Sequence, residues 1–397
     1  MKKIGFVIPW FAEKIPGGAE MALRGLTFHM HRAGIDLEIL TTCVEQFASD
    51  WSVNYYEAGV EVINGVLVRR FPVCKRDTKA FDSINRKLVK QIKVSFEEEE
   101  IFLREMVNSP ALYEFIKEHL DEYSVFAFTP YMFGTTYYGI QECMKKSVLI
   151  PCLHNESYAH FRHFKDVFSR VCGMAFLSRS EYVLAHWLYD LHSVNARTLG
   201  TGVDTGLKGD GRRFREKYNI MSPYLIYAGR KDSGKNVDIL LKYFEIYKSR
   251  HRTDLKLVLI GGGKINISDE IKNEVYDLGY VPIQDKYDAY AAAEFLCNPS
   301  RFESFSLVLM ESWLCHRPVV VFRGCPVMYD FALESNGGLG FENYWEFEGC
   351  ADYLLVHRSE ADIMGENGRN YVLANFAWDV IVKKYMDFFE ECCNKEN

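Results

Sequence analysis

The densest chemistry in this chain lies in Asn298-Pro299-Ser300-Arg301-Phe302-Glu303-Ser304-Phe305-Ser306-Leu307-Val308-Leu309-Met310-Glu311. An apolar run ends at Pro299, a polar loop follows, and a helix is predicted from about Ser306, whose side chain can cap it. A helix start offers unpaired backbone N–H groups and the positive end of a dipole, which suits a diphosphate. Glu303 stands in the loop before that helix. Glu311 stands about a turn and a half along it, where a carboxylate can accept hydrogen bonds from sugar hydroxyls. Upstream, Tyr227-Ala228-Gly229-Arg230 places a flexible turn and a cation after another apolar run, with Lys235 close behind. Arg230 and Lys235 could neutralise the charge that grows on a departing diphosphate.

The first half carries two weaker signals. Gly17-Gly18-Ala19-Glu20 follows the first apolar run, and glycines there permit close backbone approach to an anion at a helix start. Pro151-Cys152-Leu153-His154-Asn155-Glu156 ends another apolar run and puts His154 at a predicted strand end. Each feature alone fits a plain alternative: an amphipathic helix, two surface cations, a structural histidine. Absences narrow the chemistry. The sequence has no Asp-x-Asp pair for a divalent metal, no zinc-like His/Cys spacing and no Gly-x-x-x-x-Gly-Lys-Ser/Thr phosphate loop. The expectation is a site that uses cations and a helix dipole, with no metal and no resident cofactor.

These residues must be positioned by strands and helices, and the pattern supplies them twice. Ile4 to Pro9, a helix over Glu20 to His31 and Leu37 to Thr41 form a β-loop-α-β unit. Val60 to Phe71 predicts a hairpin turning at Asn64-Gly65. Residues 83–120 read as largely helical. Val125 to Thr129, Val148 to Leu153 and Met174 to Leu177 read as strands, with helices over Gly139 to Lys146 and Ser180 to Leu191. Near residue 200 the pattern restarts: strands at Tyr224 to Ala228, Leu255 to Ile260, Tyr280-Val281, Phe295 to Pro299 and Pro318 to Phe322, with a helix over Val237 to Arg250. The fold class expected is α/β, two Rossmann-like domains facing a cleft, with ligands at the carboxyl ends of the strands.

Composition agrees with two globular domains. The chain has 397 residues, 48% of them hydrophobic and 25% charged. A net charge of −7 argues against general nucleic-acid binding. The 11 cysteines show no regular spacing. No signal peptide or membrane-length apolar run is read, so reduced thiols and a cytoplasmic location are expected. Between Arg69 and Lys93 basic residues dominate, and Glu97 to Glu100 follow at once. That stretch predicts either a face paired with the acidic run or a surface that meets an anionic acceptor or makes peripheral contact with anionic membrane.

Taken in order, Gly17-Gly18-Ala19-Glu20, His154-Asn155, Thr201-Gly202-Val203-Asp204, Gly229-Arg230 with Lys235, Leu257 to Gly263, Gly279-Tyr280-Val281, Glu303 to Glu311, Gly365-Glu366-Asn367-Gly368-Arg369 and Trp378-Asp379 resemble the retaining family-four glycosyltransferases of the GT-B fold (glycosyl transferases group 1). The resemblance is concentrated in residues 224–379. It implies an acceptor-side domain over 1–200, a donor-binding domain over 201–376, and a last helix at 377–397 packing back on the first. It implies that Arg230 and Lys235 hold the diphosphate of a UDP- or GDP-sugar. Glu311 would bind the ribose and Glu303 the sugar hydroxyls. Backbone at Ser304, Phe305, Ser306 and Leu307 would meet sugar and phosphate. His154 would lie beside the donor sugar, Gly17 and Gly18 near the diphosphate or acceptor, and Gly229, Tyr280 and Val281 around the nucleotide. The acceptor would be a glycan or a lipid-linked hydroxyl. Ser304 and Ser306 stand where the family usually has glycine, and Asn155 where aspartate is common. Two rivals stay open at this point: a nucleotide-sugar epimerase or phosphorylase on the same architecture, and a catalytically silent nucleotide-sugar-binding partner of another transferase.

Overall fold

The protein's structure, a computed structural model, describes residues 2–15 and 17–394. It divides into two compact units: one runs up to Gly202 and resumes at Trp378, and the other is Val203–Ala377. In the first unit the elements are β1 (Lys3–Ile8), α1 (Gly18–Arg32), β2 (Leu37–Thr42), β3 (Gly59–Ile63), β4 (Val66–Phe71), α2 (Thr78–Val89), α3 (Phe96–Arg104), α4 (Pro110–Glu118), β5 (Tyr123–Phe128), α5 (Gly134–Glu142), β6 (Ser147–Leu149), α6 (Arg162–Phe168), β7 (Gly173–Phe176), α7 (Arg179–Leu188) and β8 (Asn195–Thr198). The sheet order is β3-β4-β2-β1-β5-β6-β7-β8, parallel except for the β3–β4 hairpin. β1 sits mid-sheet between β2 and β5, so its residues from Ile4 to Ile8 are all buried. That explains why the run is continuously apolar rather than alternating. The hairpin turns at Asn64 and Gly65, with φ of 51° and 85°. Both are left-handed, as a type I′ turn requires.

The second unit comprises α8 (Gly211–Tyr218), β9 (Tyr224–Ala228), α9 (Val237–Arg250), β10 (Lys256–Ile260), β11 (Val275–Gly279), α10 (Ile283–Ala292), β12 (Phe295–Asn298), α11 (Leu307–Leu314), β13 (Val319–Phe322), α12 (Pro326–Ser335), β14 (Gly338–Phe341), α13 (Tyr344–Val356) and α14 (Arg358–Phe376). Its sheet is wholly parallel, in the order β11-β10-β9-β12-β13-β14. The order reverses direction at β9 and β12, the central pair, which is the topological switch point where open α/β sheets place ligands.

α15 (Trp378–Asn394) returns to the first unit, and residues 395–397 of the helix expected there lie outside the described residues. Phe389 meets Phe6 edge-on at 6.1 Å. The Trp378 indole stacks on His29 at 4.6 Å. A Cβ added to Gly25 would fall 2.2 Å from Trp378 Cζ2, and one added to Gly202 would fall 2.0 Å from its Cε3. Those two glycines are the seat of the helix start.

Three sequence expectations need correction, and two strands were not expected. Tyr280-Val281 is not a strand: β11 is Val275–Gly279, and Gly279 at φ 62° turns the chain out of the sheet. The run Val148 to Leu153 yields only β6, Ser147–Leu149. Pro151 has no N–H for a ladder and Cys152 is left-handed at φ 53°, so pairing stops there. The helix over Gly139 to Lys146 lies earlier, at Gly134–Glu142. β8 and β14 went unread because Asn-Ala-Arg-Thr and Gly-Leu-Gly-Phe carry no apolar run.

Candidate active site

In the second unit the loops after β9 and β10 are pressed together by glycine. Gly229 N donates to Ile260 O at 2.9 Å, and Lys231 N to Gly262 O at 2.8 Å. A Cβ on Gly261, which is at φ 120°, would fall 2.1 Å from Gly229 O, so no side chain fits there. Tyr227 OH donates to Arg230 O at 2.6 Å and fixes the carbonyl that follows Gly229. Burial, then the nearby Glu303 and Asp232 charges, push the Tyr227 phenol well above its usual range, so it keeps the proton it donates to Arg230 O.

Arg230 points into solvent, with its guanidinium 3.5 Å from Asp232 as its nearest anion. Asp232 also accepts the backbone N–H of Gly234 and Lys235, which forms the turn before α9. That carboxylate therefore ties the positions of Arg230 and Lys235 together. Lys235 Nζ reaches across to Glu303 Oε1 at 2.7 Å, with both side chains mostly buried. Arg301 N donates to Gly234 O and Asn236 Nδ2 to Pro299 O, so these bonds join the loops after β9 and β12 as the Lys235 ammonium does. The structure thus brings Gly229, Arg230, Lys235 and Glu303 into one constellation at the carboxyl ends of the two central strands.

Ser306 stands at the N-cap position of α11, but the expected side-chain cap is not made. Its Oγ instead accepts from Asn298 Nδ2 at 3.3 Å, while Asn298 Oδ1 accepts from Ser300 N. Asn298 thereby staples both ends of the loop. Ser306 has φ 69°, a left-handed geometry that costs a non-glycine residue about 1 kcal/mol or more. Phe305 is an anchor: its ring is buried edge-on against Phe331 and Phe376 at 5.3 and 4.9 Å. Ser304 is half-buried beside it, and Leu307 opens the helix.

Glu311 is buried on α11 and does not touch Lys235 or Glu303. Its Oε1 takes Lys286 Nζ at 2.7 Å and its Oε2 takes Tyr290 OH at 2.9 Å, both from α10. Each oxygen keeps a second acceptor direction for an incoming hydroxyl. Lys286 and Tyr290 were not singled out from the sequence, since a Lys and a Tyr on a helix carry no signal. Lys231 was also passed over; it is buried and paired with Asp277. Tyr280 is 84% exposed, and its hydroxyl closes over Gly262, where a Cβ would lie 2.4 Å away. Val281 follows it, half-buried.

In the first unit Gly17 has φ 133°, and its missing Cβ is replaced by the Glu20 carboxylate, which takes Trp10 Nε1–H at 2.5 Å. Gly18 opens α1 with nothing crowding it. His154 is half-exposed, with Nδ1 3.9 Å from Glu156 Oε1. Tyr131 OH donates to that same Glu156 oxygen at 2.9 Å. Glu181 accepts the backbone N–H of Leu153, the residue before His154; the sequence places it in a helix and assigns it no role. The pattern Ser178-x-x-Glu181 could have marked a helix start, but not a buried carboxylate. Among the described residues no helix is long and apolar enough to cross a membrane.

Residues 222–341 match the family model described as Glycosyl transferases group 1. Over 182 residues the chain is 28% identical to the glycogen synthase of Thermus thermophilus, covering 45% of this chain and 41% of that protein. Over 123 residues it is 32% identical to the N-acetylgalactosamine-N,N'-diacetylbacillosaminyl-diphospho-undecaprenol 4-alpha-N-acetylgalactosaminyltransferase of Campylobacter jejuni, covering 29% of this chain and 32% of that protein. The matches therefore span less than half the length of these curated relatives. Among solved structures, Anabaena Alr3699/HepE in complex with UDP and glucose superposes with a TM-score of 0.70 at 13% identity, over 98% of this chain and 100% of that one. At that identity the likeness is one of fold. Residues 222–341 thus match the glycosyl transferases group 1 family model, on a chain whose two units have the fold of the GT-B glycosyltransferases.

Proposed function

We propose that the chain is a retaining, metal-independent hexosyltransferase. It moves a sugar from a UDP- or GDP-linked donor to a hydroxyl of a glycan or lipid-linked acceptor, in bacterial surface polysaccharide or glycoconjugate synthesis. The observation that carries this reading is the Lys235–Glu303 pair at 2.7 Å, with the solvent-exposed Arg230, paired to Asp232, on the same loop. It sets a cation for phosphate next to a carboxylate for sugar hydroxyls, at the ends of strands inside the family-matched segment. In this account the bond from the anomeric carbon to the diphosphate breaks as the acceptor oxygen approaches the same face. The leaving phosphate oxygen takes the acceptor's proton, and Arg230 and Lys235 hold its charge. Glu303 orients the sugar and Glu311 the ribose, and the role proposed for His154 is with the donor sugar. The Campylobacter relative's name, which joins a sugar to a diphospho-undecaprenol acceptor, supports a lipid-linked substrate.

A thermal-shift screen against UDP-, GDP-, ADP- and dTDP-sugars without added metal tests the donor assignment. A ligand at a hundredfold excess over its Kd stabilises by about 2.7 kcal/mol. One nucleotide class raising Tm, with the shift lost in Arg230→Ala, supports the reading. No shift with any of them favours the silent-partner alternative, to which the left-handed Ser306 lends its one specific observation.

The basic stretch supplies a second part of the proposal. Arg69, Arg70 and Lys87 are held by Glu38, Glu61 and Glu98, and Arg76 stacks on Trp51 and Phe81. Arg86, Lys90 and Lys93 stay exposed beside Val89 and Ile92. This mixed face suits peripheral contact with an anionic membrane from the cytoplasmic side. Vesicle co-sedimentation that ignores the anionic lipid fraction would count against it.

A further inference from the structure

The first unit contains a buried carboxylate that the proposed chemistry does not use. Glu181, third residue of α7, is 1% exposed. An ordinary glutamate at that helix position is solvated and serves its own helix start. Glu181 instead bridges two strand ends. Its Oε1 accepts the Leu153 N–H and its Oε2 the Leu177 N–H, each at 2.5 Å. Leu177 follows β7, and Leu153 immediately precedes His154. The loop between β6 and His154 has lost its ladder, because Pro151 has no N–H and Cys152 is left-handed at φ 53°. The loop is otherwise held by Ile150 N donating to Phe128 O, Tyr131 N donating to Pro151 O and a contact of Cys152 Sγ with Thr129 Oγ1, and the Glu181 carboxylate is its anchor at Leu153, the residue next to His154.

We propose that Glu181 is a positioning residue for His154, its two carboxylate oxygens locking the loop that presents the imidazole. The inference rests on the reading above that His154 meets the donor sugar. The geometry needs an acceptor at both oxygens. Glutamine has the right shape but would aim its NH2 at one of the two N–H groups and leave that amide orphaned. Burial raises the Glu181 carboxyl to about 7, an effect opposed by the Leu153 and Leu177 amides, His154 and Ser178. The other titratable groups facing it are Cys152 from the same loop and Tyr385 from α15, with Glu20 of α1 acting through Cys152. An uncharged residue would cost less to bury. Retaining a carboxylate here fits a demand for loop geometry over stability.

The test compares wild type, Glu181→Gln, His154→Ala and the double variant by steady-state kinetics on the donor that stabilises the protein. Amide hydrogen exchange at Leu153 and Leu177 and the NMR signals of the His154 ring accompany the kinetics. The expected result for Glu181→Gln is faster exchange at one of the two amides, shifted ring signals and a kcat lower by about 10²-fold with KM little changed. Adding it to His154→Ala should then cost nothing further. Wild-type exchange and ring signals in Glu181→Gln would overturn the proposal. If His154→Ala turns over normally, the functional reading of His154 fails, and the amide and ring signals still decide whether Glu181 holds the loop. Should Glu181→Gln not fold, the wild-type protein supplies the test. Protonating Glu181 must then move the Leu153 and Leu177 amide signals through one shared inflection, and amide signals that do not move together would overturn it.

Discussion

Lys235 Nζ and Glu303 Oε1 lie 2.7 Å apart across 68 residues of sequence, and the pair joins the loops that leave the two central strands of the second unit. Both side chains are mostly withdrawn from water, so the interaction is neither a surface pair of negligible value nor a fully buried one. Glu303→Ala is predicted to lower stability by about 1–2 kcal/mol, between the values for those two extremes. Lys235→Ala should cost a similar amount. The double variant should cost less than their sum, which chemical denaturation of all three measures directly.

Ser306 gives a prediction of opposite sign. Its left-handed backbone favours glycine, while its Oγ accepts from Asn298. Ser306→Gly relieves about 1 kcal/mol of strain and gives up a hydrogen bond of similar size. Ser306→Ala keeps the strain and loses the bond. The predicted stability order is therefore glycine at or above serine, and alanine below by about 1 kcal/mol. Melting temperatures of the three proteins check it, and glycine ranking lowest would contradict it.

Gly25 and Gly202 are predicted to be intolerant of a methyl group, because Trp378 fills the space each would need. Overpacking of this kind costs roughly 1–3 kcal/mol. Gly25→Ala should be far less harmful when combined with Trp378→Leu than in the wild-type background. Equal penalties in both backgrounds would show that the indole is not what the glycine accommodates.

Glu181 predicts a pH dependence whose sign is unusual for a carboxylate. Its folded-state value of about 7 stands above the ordinary 4.5. Between those values the folded chain keeps a proton that the unfolded chain has released, so this group's contribution falls as pH rises through the window. The loss is at most about 3 kcal/mol and is complete above about pH 7. Glu181→Gln lacks the titration, so its stability relative to wild type should climb as pH rises from 5 to 7.5, values set roughly by that window. A difference that stays flat would contradict a buried titrating carboxylate.

What could be read from the sequence follows the physics of each element. Buried parallel strands such as Ile4 to Ile8 and Tyr224 to Ala228 declare themselves as unbroken apolar runs, and Gly229 or Asn64-Gly65 mark where the chain must turn. β8 and β14 lie at sheet edges, where burial demands less of the sequence, so their polar or glycine-rich residues gave no signal. Arg230, Lys235, Glu303 and Glu311 were nominated by residue type and position. That Lys235 would reach Glu303 while Glu311 would be held from α10 by Lys286 and Tyr290 depends on tertiary placement. Ser306 was readable as a helix start but not as an uncapped, left-handed one. Glu181 was invisible because nothing local distinguishes a buried glutamate from a solvated one.

The most direct test of the central claim is turnover of the stabilising nucleotide sugar by Arg230→Ala and Lys235→Ala, with folding verified by circular dichroism. If the two cations hold the leaving diphosphate, each variant should lose about 10²–10³-fold in kcat while remaining folded. Wild-type turnover in both would contradict the assignment of the donor diphosphate to this site.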